Sequence, residues 1–179
     1  MKTISLTVNG KARSAGVEPR TNLADFLREH LLLTGTNIGC EHGVCGACTI
    51  ELDGGPARSC IAYTVACDGA TVRTIEGFEQ DVTMSALREA FSAEHALQCG
   101  YCTPGMLITA RDIVLRLPNA DDARVREELS GNLCRCTGYV GIVRAIMCGG
   151  LKFPWTAVRK MGMGLVPGER AWEQPTPAE

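Results

Sequence analysis

The sequence lacks a long apolar run, a basic stripe and any block of like charge, and each absence removes a class of function. No stretch approaches the roughly 18 consecutive apolar residues of a membrane-spanning helix. The 18 lysines and arginines are balanced by 20 aspartates and glutamates that are spread along the chain. We therefore expect no membrane span, no nucleic-acid partner and no charged disordered tail.

The opening residues also lack the unbroken apolar segment of a secretory signal. Residues 2–8 instead alternate polar and apolar side chains. We therefore expect a cytoplasmic protein, in which thiols stay reduced. In that compartment, ten cysteines indicate metal ligands rather than disulfides.

Cysteine is the residue that the sequence has in excess, and one group of four has the spacing of a plant-type [2Fe-2S] site, C-x4-C-x2-C followed by a distant fourth cysteine. The four are Cys40, Cys45, Cys48 and Cys60. Gly39, Gly43 and Gly46 lie between or beside these ligands, where we expect positive φ angles and backbone N–H groups that point at sulfur. His42 is expected to be a solvated loop residue, since no second histidine accompanies it as a Rieske-type site requires.

Residues 1–76 have the pattern of short strands around one helix. Residues 3–8 alternate as a half-buried strand, and Asn9-Gly10 is a hairpin turn signal before a second strand over 13–17. An apolar stripe through Leu31 predicts a helix capped by Thr21 or Asn22. Further strands are predicted over 49–52, 57–60 and 71–75. This order predicts a β-grasp domain.

Residues 77–150 change to helical spacing. Thr103 is predicted to be an N-cap with Pro104 at the first helical position, in a helix that stops at Pro118. Another helix is predicted to start at Asp121 or Asp122, and flanking apolar stripes predict two more. We expect a small helical bundle over 77–150.

The helical half carries a second group of four cysteines, which enters from two interhelical turns. It consists of Cys99, Cys102, Cys134 and Cys136. Four thiolates repel one another unless a cation lies among them. We favour a second iron-sulfur cluster, because C-x-C is an unusual half of a zinc site; a zinc-stapled interaction module is the alternative. Cys67 and Cys148 lie outside both groups, and we expect them to pack as small buried hydrophobes.

The two cysteine groups and two motifs resemble the small iron-sulfur subunit of the molybdenum hydroxylases, the xanthine oxidase family. The motifs are QCGYCTPG over residues 98–105 and NLCRCTGY over residues 132–139. The resemblance covers residues 1 to about 150, with all the ligands in register. It implies an α+β chain with a plant-ferredoxin-like β-grasp domain followed by a four-helix bundle, each holding one [2Fe-2S] cluster. It also implies that Gln98 and Cys136 face the pterin of a molybdenum cofactor on a separate large subunit.

The function implied by this resemblance is electron transfer within an oxidoreductase complex. Substrate is hydroxylated on the large subunit, and electrons leave through the two clusters to FAD on a medium subunit or to another acceptor. The family resemblance thus implies a heterotrimer, or a dimer of heterotrimers, in which this chain has no substrate site. A freestanding two-cluster electron carrier is the alternative.

Residues 151–179 show no sustained periodicity. They hold four of the eight prolines and both tryptophans, Trp155 and Trp172. A segment with so little core does not fold alone, and tryptophan side chains are costly to leave in water. We expect an arm that lies on a partner subunit, with a disordered end as the alternative.

Overall fold

The computed structural model describes residues 1–151; the predicted C-terminal arm lies outside the described residues from 152 onward. The first half of the chain forms a mixed five-stranded sheet. Its strands are β1 (Lys2–Val8), β2 (Lys11–Val17), β3 (Thr49–Leu52), β4 (Gly55–Arg58) and β5 (Thr71–Arg73). Their order is β2-β1-β5-β3-β4, with β1 and β5 parallel and the other neighbours antiparallel.

The β1–β2 hairpin has the predicted turn. Asn9 and Gly10 have φ angles of 49° and 76°, and a two-residue turn of this kind requires positive φ at both positions. The register pairs Val8 with Lys11. Ile4, Leu6 and Val8 are buried, as their alternation predicts.

The helix of the first half is shorter than predicted. α1 (Leu23–Asp25) runs into a π-helical turn, Phe26–His30. Asn22 is its N-cap, because the Asn22 Oδ1 accepts from the Asp25 N–H at 2.8 Å. The predicted strand over 57–60 is also cut short: β4 ends at Arg58, and Cys60 lies in a 3₁₀ turn (Ser59–Ile61).

Four further α-helices follow the sheet. They are α2 (Val82–Ala93), α3 (Thr103–Arg116), α4 (Asp122–Glu128) and α5 (Val140–Ala145), the last continuing as a π-helical turn, Ile146–Leu151. The N-cap of α3 is Cys102, so the prediction of Thr103 was wrong by one residue. Asp121 caps α4 through the Arg124 N–H at 2.8 Å. None of the helices within residues 1–151 is long and apolar enough to cross a membrane.

A cluster of charges joins the helices to the sheet. The guanidinium of Arg111 on α3 lies 3.0 Å from the Glu51 carboxylate on β3 and 2.8 Å from that of Asp81. Asp81 is also the N-cap of α2, accepting from the Met84 N–H at 2.9 Å. Arg73 stacks on the ring of Phe78 with 3.8 Å between the guanidinium carbon and the ring centroid. These contacts fix the start of α2 against both halves of the chain.

Asp81→Asn is expected to lower the free energy of unfolding at neutral pH. Burial alone would raise the pKa of Asp81, but hydrogen bonds from Arg111 and the Met84 N–H hold that pKa below its ordinary 3.8. A depressed folded-state pKa means that the ionised carboxylate stabilises the fold above pH 3.8, and that this stabilisation is lost as the pH falls through the folded-state value. We expect a loss of about 1.5–3 kcal/mol at neutral pH, typical of a hydrogen bond to a charged group.

Thermal unfolding followed by circular dichroism across a pH series tests this expectation. The melting temperatures of the variant and wild-type chains should converge as the pH falls well below 3.8. Asp122→Asn is the matched control, because the Asp122 side chain is 59% exposed in its ion pair with Arg126 and such pairs contribute about 0–1 kcal/mol. Equal effects of the two substitutions would contradict the role given to Asp81.

Candidate metal centres

The first ligand loop, which carries Cys40, Cys45 and Cys48, follows the π-helical turn of the first half and leads into β3. Its backbone points donors at sulfur: the N–H groups of His42 and Cys45 each lie 3.4 Å from the Cys40 Sγ. Gly43 and Gly46 have φ angles of 75° and 74°, as the loop was predicted to need. Cys40 and Cys45 are half-buried.

The thiols of the first predicted ligand set differ in how readily they ionise. Hydrogen bonds from the backbone of Cys45 and then His42 lower the pKa of Cys40 to about 6. Burial, followed by the contact with Cys48, raises the pKa of Cys60 to about 11. A buried thiol of this kind becomes a thiolate when a metal cation coordinates it. The donor set therefore fits a cationic centre.

The second ligand set comes from the turn before α3 and the loop between α4 and α5. The Sγ atoms of Cys99 and Cys136 are 3.5 Å apart. Burial raises the pKa of Cys102 to about 12, with its neighbour Cys134 as the next cause. Burial would also raise the pKa of Cys134, but hydrogen bonds from the Thr137 hydroxyl and backbone lower it. The Thr137 Oγ1 lies 3.1 Å from the Cys134 Sγ.

The structure brings together every predicted ligand with a partner from its own set. The thiol pairs in contact are Cys40 with Cys45, Cys48 with Cys60, Cys102 with Cys134, and Cys99 with Cys136. Within residues 1–151, no three or more His, Cys, Asp or Glu side chains gather as a single metal ion would require. Thiols in pairs are the arrangement that suits two-iron centres, since each of the two irons takes its own protein ligands.

Tyr139 makes two hydrogen bonds that hold the loop of the second ligand set in place. Its hydroxyl accepts from the Cys134 N–H at 2.8 Å and donates to the Asn132 carbonyl at 3.2 Å. Its own backbone is left-handed, with φ of 70°. Tyr139 therefore anchors the loop that carries Cys134.

Gln98 and Cys136 lie side by side. The Gln98 Nε2 donates to the Cys136 carbonyl at 3.0 Å, and both residues are exposed.

The remaining two cysteines have different surroundings. Cys67 is buried in the core of the sheet, as predicted. Cys148 is exposed, so the prediction that it packs as a buried hydrophobe was wrong. Gly149, not Cys148, is the residue of this turn that lies against Ala90 of α2.

The two ligand loops touch each other directly. The Leu133 N–H, next to the predicted ligand Cys134, donates to the Cys45 carbonyl at 2.8 Å. The Tyr101 hydroxyl donates to the Ile38 carbonyl at 2.7 Å and the Asn37 amide to the Tyr101 carbonyl at 2.9 Å. No periodicity in the sequence indicates these contacts, because they join residues more than sixty positions apart.

Comparisons with known proteins agree with these two sites. Residues 6–71 match a family described as a 2Fe-2S iron-sulfur cluster binding domain, and residues 74–147 match a [2Fe-2S] binding domain. The chain therefore carries two [2Fe-2S]-binding domains, and the zinc-stapled alternative is not supported.

Similar chains come from hydroxylases and dehydrogenases. The chain is 55% identical over 146 residues to subunit gamma of caffeine dehydrogenase from Pseudomonas sp. strain CBB1, a match that covers 80% of this chain and 87% of the relative. It is 49% identical over 144 residues to the small subunit of nicotine 6-hydroxylase from Paenarthrobacter nicotinovorans, with 80% and 87% covered.

A solved structure has the same fold. A chain of quinoline 2-oxidoreductase from Pseudomonas putida 86 superimposes with a TM-score of 0.80 at 50% identity, covering 90% of this chain and 97% of that one. The family resemblance of the sequence is thereby confirmed. The chain belongs to the small iron-sulfur subunits of the molybdenum hydroxylases.

Proposed function

We propose that this chain carries electrons from a molybdenum-pterin cofactor on a large partner subunit, through two [2Fe-2S] clusters, to FAD on a medium subunit or to another acceptor. The observation that carries the proposal is the direct contact of the two ligand loops through Leu133 and Cys45. Relatives named as subunits of caffeine dehydrogenase and nicotine 6-hydroxylase support it. In such a complex the chain is an oxidoreductase subunit without a substrate site.

We assign the sheet half, residues 1–76, to a plant-ferredoxin-like β-grasp domain and residues 77–150 to a four-helix bundle. The sheet with α1 packed on it supports the first assignment, and α2 to α5 around one apolar core support the second. Residues 151–179 are proposed to be an arm that lies on a partner subunit. We place the complex in the cytoplasm, because clustered cysteines that serve as metal ligands are typical of a reducing compartment.

Each cluster, when bound, supplies a centre that takes up and releases one electron at a time. The first is assigned to Cys40, Cys45, Cys48 and Cys60, and the second to Cys99, Cys102, Cys134 and Cys136. The two cysteines of each thiol pair in contact are proposed to bind the same iron atom. The donors at sulfur, such as the Thr137 hydroxyl and the Cys45 N–H, orient the ligands and tune the reduction potential.

The hydrogen bond from Leu133 to Cys45 joins the backbones of the two ligand loops. From Cys45 to Cys134 the path consists of covalent bonds and this one 2.8 Å contact. A short bonded path of this kind couples the two centres electronically. The contact therefore supports transfer in sequence between two clusters rather than two independent centres.

The second ligand set reaches the surface next to apolar side chains. Cys99 and Cys136 are exposed, and Leu97 and Val140 beside them are 40% and 49% exposed. A partner that covers this face would keep water and oxygen from the centre. We propose that the large subunit covers it, with Gln98 and Cys136 facing its pterin.

The first ligand loop has an apolar surface of its own. Val44, Ile61 and Tyr63 are 61%, 59% and 59% exposed. We propose that the acceptor-bearing subunit docks there, which gives a heterotrimer or a dimer of heterotrimers. Exposed apolar side chains beside each ligand set favour a subunit with partners over a freestanding carrier.

Native mass spectrometry of the protein purified from its source, with iron, molybdenum and zinc assayed on the same sample, tests the proposal. We expect about four iron atoms per chain, two in each cluster, together with molybdenum and larger subunits. A lone chain that holds the same iron would instead support the freestanding carrier. Zinc without iron would overturn both assignments.

A further inference from the structure

We propose that Asn132 and Arg58 form a clasp that fixes the separation of the two ligand loops and thereby the coupling between the two clusters. Neither residue is a metal ligand. The inference rests on the proposed ligand assignment, but its contacts stand on their own.

The Asn132 side chain is buried between the two halves, with 2% of the residue exposed. Its Oδ1 accepts from the Thr109 hydroxyl at 3.0 Å and from the Arg58 guanidinium at 3.1 Å. Its Nδ2 donates to the Gly46 carbonyl at 3.2 Å and to the Thr49 Oγ1 at 3.3 Å. A side-chain amide has two donor and two acceptor positions, so every one of them is used.

The partners determine which way this amide points. Arg58 only donates and the Gly46 carbonyl only accepts, so the oxygen must face the arginine and the nitrogen must face the first ligand loop. A buried network in which every member is satisfied is rigid and specifies one arrangement. Asn132 therefore holds the first loop in one position relative to α3.

Arg58 extends the clasp to the neighbouring backbone. Its guanidinium donates to the Gly131 carbonyl at 2.6 Å and to the Thr49 Oγ1 at 2.7 Å. Arg58 ends β4, two positions before the ligand Cys60. The clasp therefore starts beside a ligand of the first set.

The three residues 131–133 are all tied to the first half of the chain. Arg58 binds the Gly131 carbonyl, and the amide network holds Asn132. The Leu133 N–H donates to the Cys45 carbonyl. The next residue is the ligand Cys134. A shift of the Asn132 backbone would therefore lengthen the hydrogen bond from the Leu133 N–H to the Cys45 carbonyl.

Two domains whose interface lacks such an anchor are expected to move relative to each other. Electron transfer and magnetic coupling between two centres both weaken steeply with distance. An interface that opens and closes would thus give a spread of transfer rates. The clasp keeps the centres at one separation.

Asn132→Leu in the purified complex tests the clasp, with Asn119→Leu as the matched control at an exposed asparagine. The leucine keeps the approximate volume and leaves four polar partners without the amide. We expect the Leu133 amide to exchange hydrogen about 10- to 100-fold faster, because each unsatisfied buried partner destabilises the closed contact. Amides in the middle of α3 should exchange at the wild-type rate. Mass spectrometry with residue-level fragmentation measures both.

A second measurement separates positioning from simple loss of structure. In the fully reduced complex, the magnetic interaction between the two cluster signals in the EPR spectrum should weaken in Asn132→Leu while each signal keeps its intensity. Thr49→Val removes one hydroxyl from the network at constant shape. It should also speed exchange of the Leu133 amide and weaken the magnetic interaction, each by a smaller amount than Asn132→Leu.

The results distinguish the clasp from the ligand assignment. The clasp would be overturned if Asn132→Leu retained about four irons per chain and left both Leu133 exchange and the magnetic interaction unchanged. The electron-transfer assignment would then stay intact. Absence of iron from the wild-type chain would overturn the ligand assignment instead. If Asn132→Leu does not assemble, Thr49→Val decides by the same two measurements.

Discussion

Cys136→Ala is expected to abolish the second cluster and to lower substrate-driven electron flow through the complex by more than about 100-fold, since loss of even an outer partner of a metal ligand typically costs about 10- to 100-fold. The alanine offers no donor to iron. It also leaves Cys99 without the thiol that lies 3.5 Å from its Sγ. In the dithionite-reduced protein, one of the two cluster EPR signals should vanish, and the iron content should fall by about half.

Cys148→Ala is the matched control, because both thiols are exposed and only Cys136 belongs to a ligand set. The control should keep both signals, its iron and its turnover. The first cluster signal should also survive in Cys136→Ala, because its ligands come from the other half of the chain. Two intact signals with normal turnover in Cys136→Ala would refute the ligand assignment.

Local patterns in the sequence were sufficient for most elements of the fold. The β1–β2 hairpin followed from alternation and a turn whose residues tolerate positive φ, both properties of adjacent residues. The helix after Asn22 was predicted too long because the same apolar stripe fits an α-helix and the π-helical turn that replaces its second half. Spacing of side chains does not distinguish these two backbones.

The grouping of the cysteines was predictable because coordination chemistry restricts spacing more strongly than packing does. The thiols of each set do meet in pairs. The expectation for Gly39 was wrong in its reason: its φ is not positive, and it provides space, since a Cβ there would lie 3.1 Å from the Cys45 Sγ. Glu41, with φ of 57°, takes a left-handed conformation that no sequence rule assigned to it.

The contacts between the two halves could not be predicted from the sequence. Asn132 looks like an ordinary turn residue until its four partners are known, and those partners come from three separate segments. Arg111 likewise looks like a surface charge on α3, yet it joins Glu51 to Asp81. Both residues depend on how the halves are docked, and docking is a property of tertiary structure rather than of local periodicity.

Gly46→Ala is expected to disturb this docking. Gly46 has φ of 74°, and a Cβ on it would overlap the Gly131 carbonyl and lie 2.8 Å from the Asn132 Cγ. The left-handed backbone costs a residue with a side chain about 1–2 kcal/mol, and overpacking costs about 1–3 kcal/mol more. We expect a total loss of about 2–5 kcal/mol, or roughly 4–20 °C in Tm for a chain of this size.

Gly54→Ala separates the two causes, because Gly54 has φ of 86° and nothing lies within 4 Å of its Cβ position. Gly54→Ala should lose only the unfolding free energy that the left-handed backbone costs, about 1–2 kcal/mol. The excess loss in Gly46→Ala then measures how closely the two ligand loops approach each other. Because the added methyl group pushes against residues 131–132, it should also weaken the magnetic interaction between the reduced clusters, as Asn132→Leu does. Equal losses of stability in the two alanine variants would mean that the loops are not in close contact in solution, and the proposed coupling through Leu133 and Cys45 would then lose its structural basis.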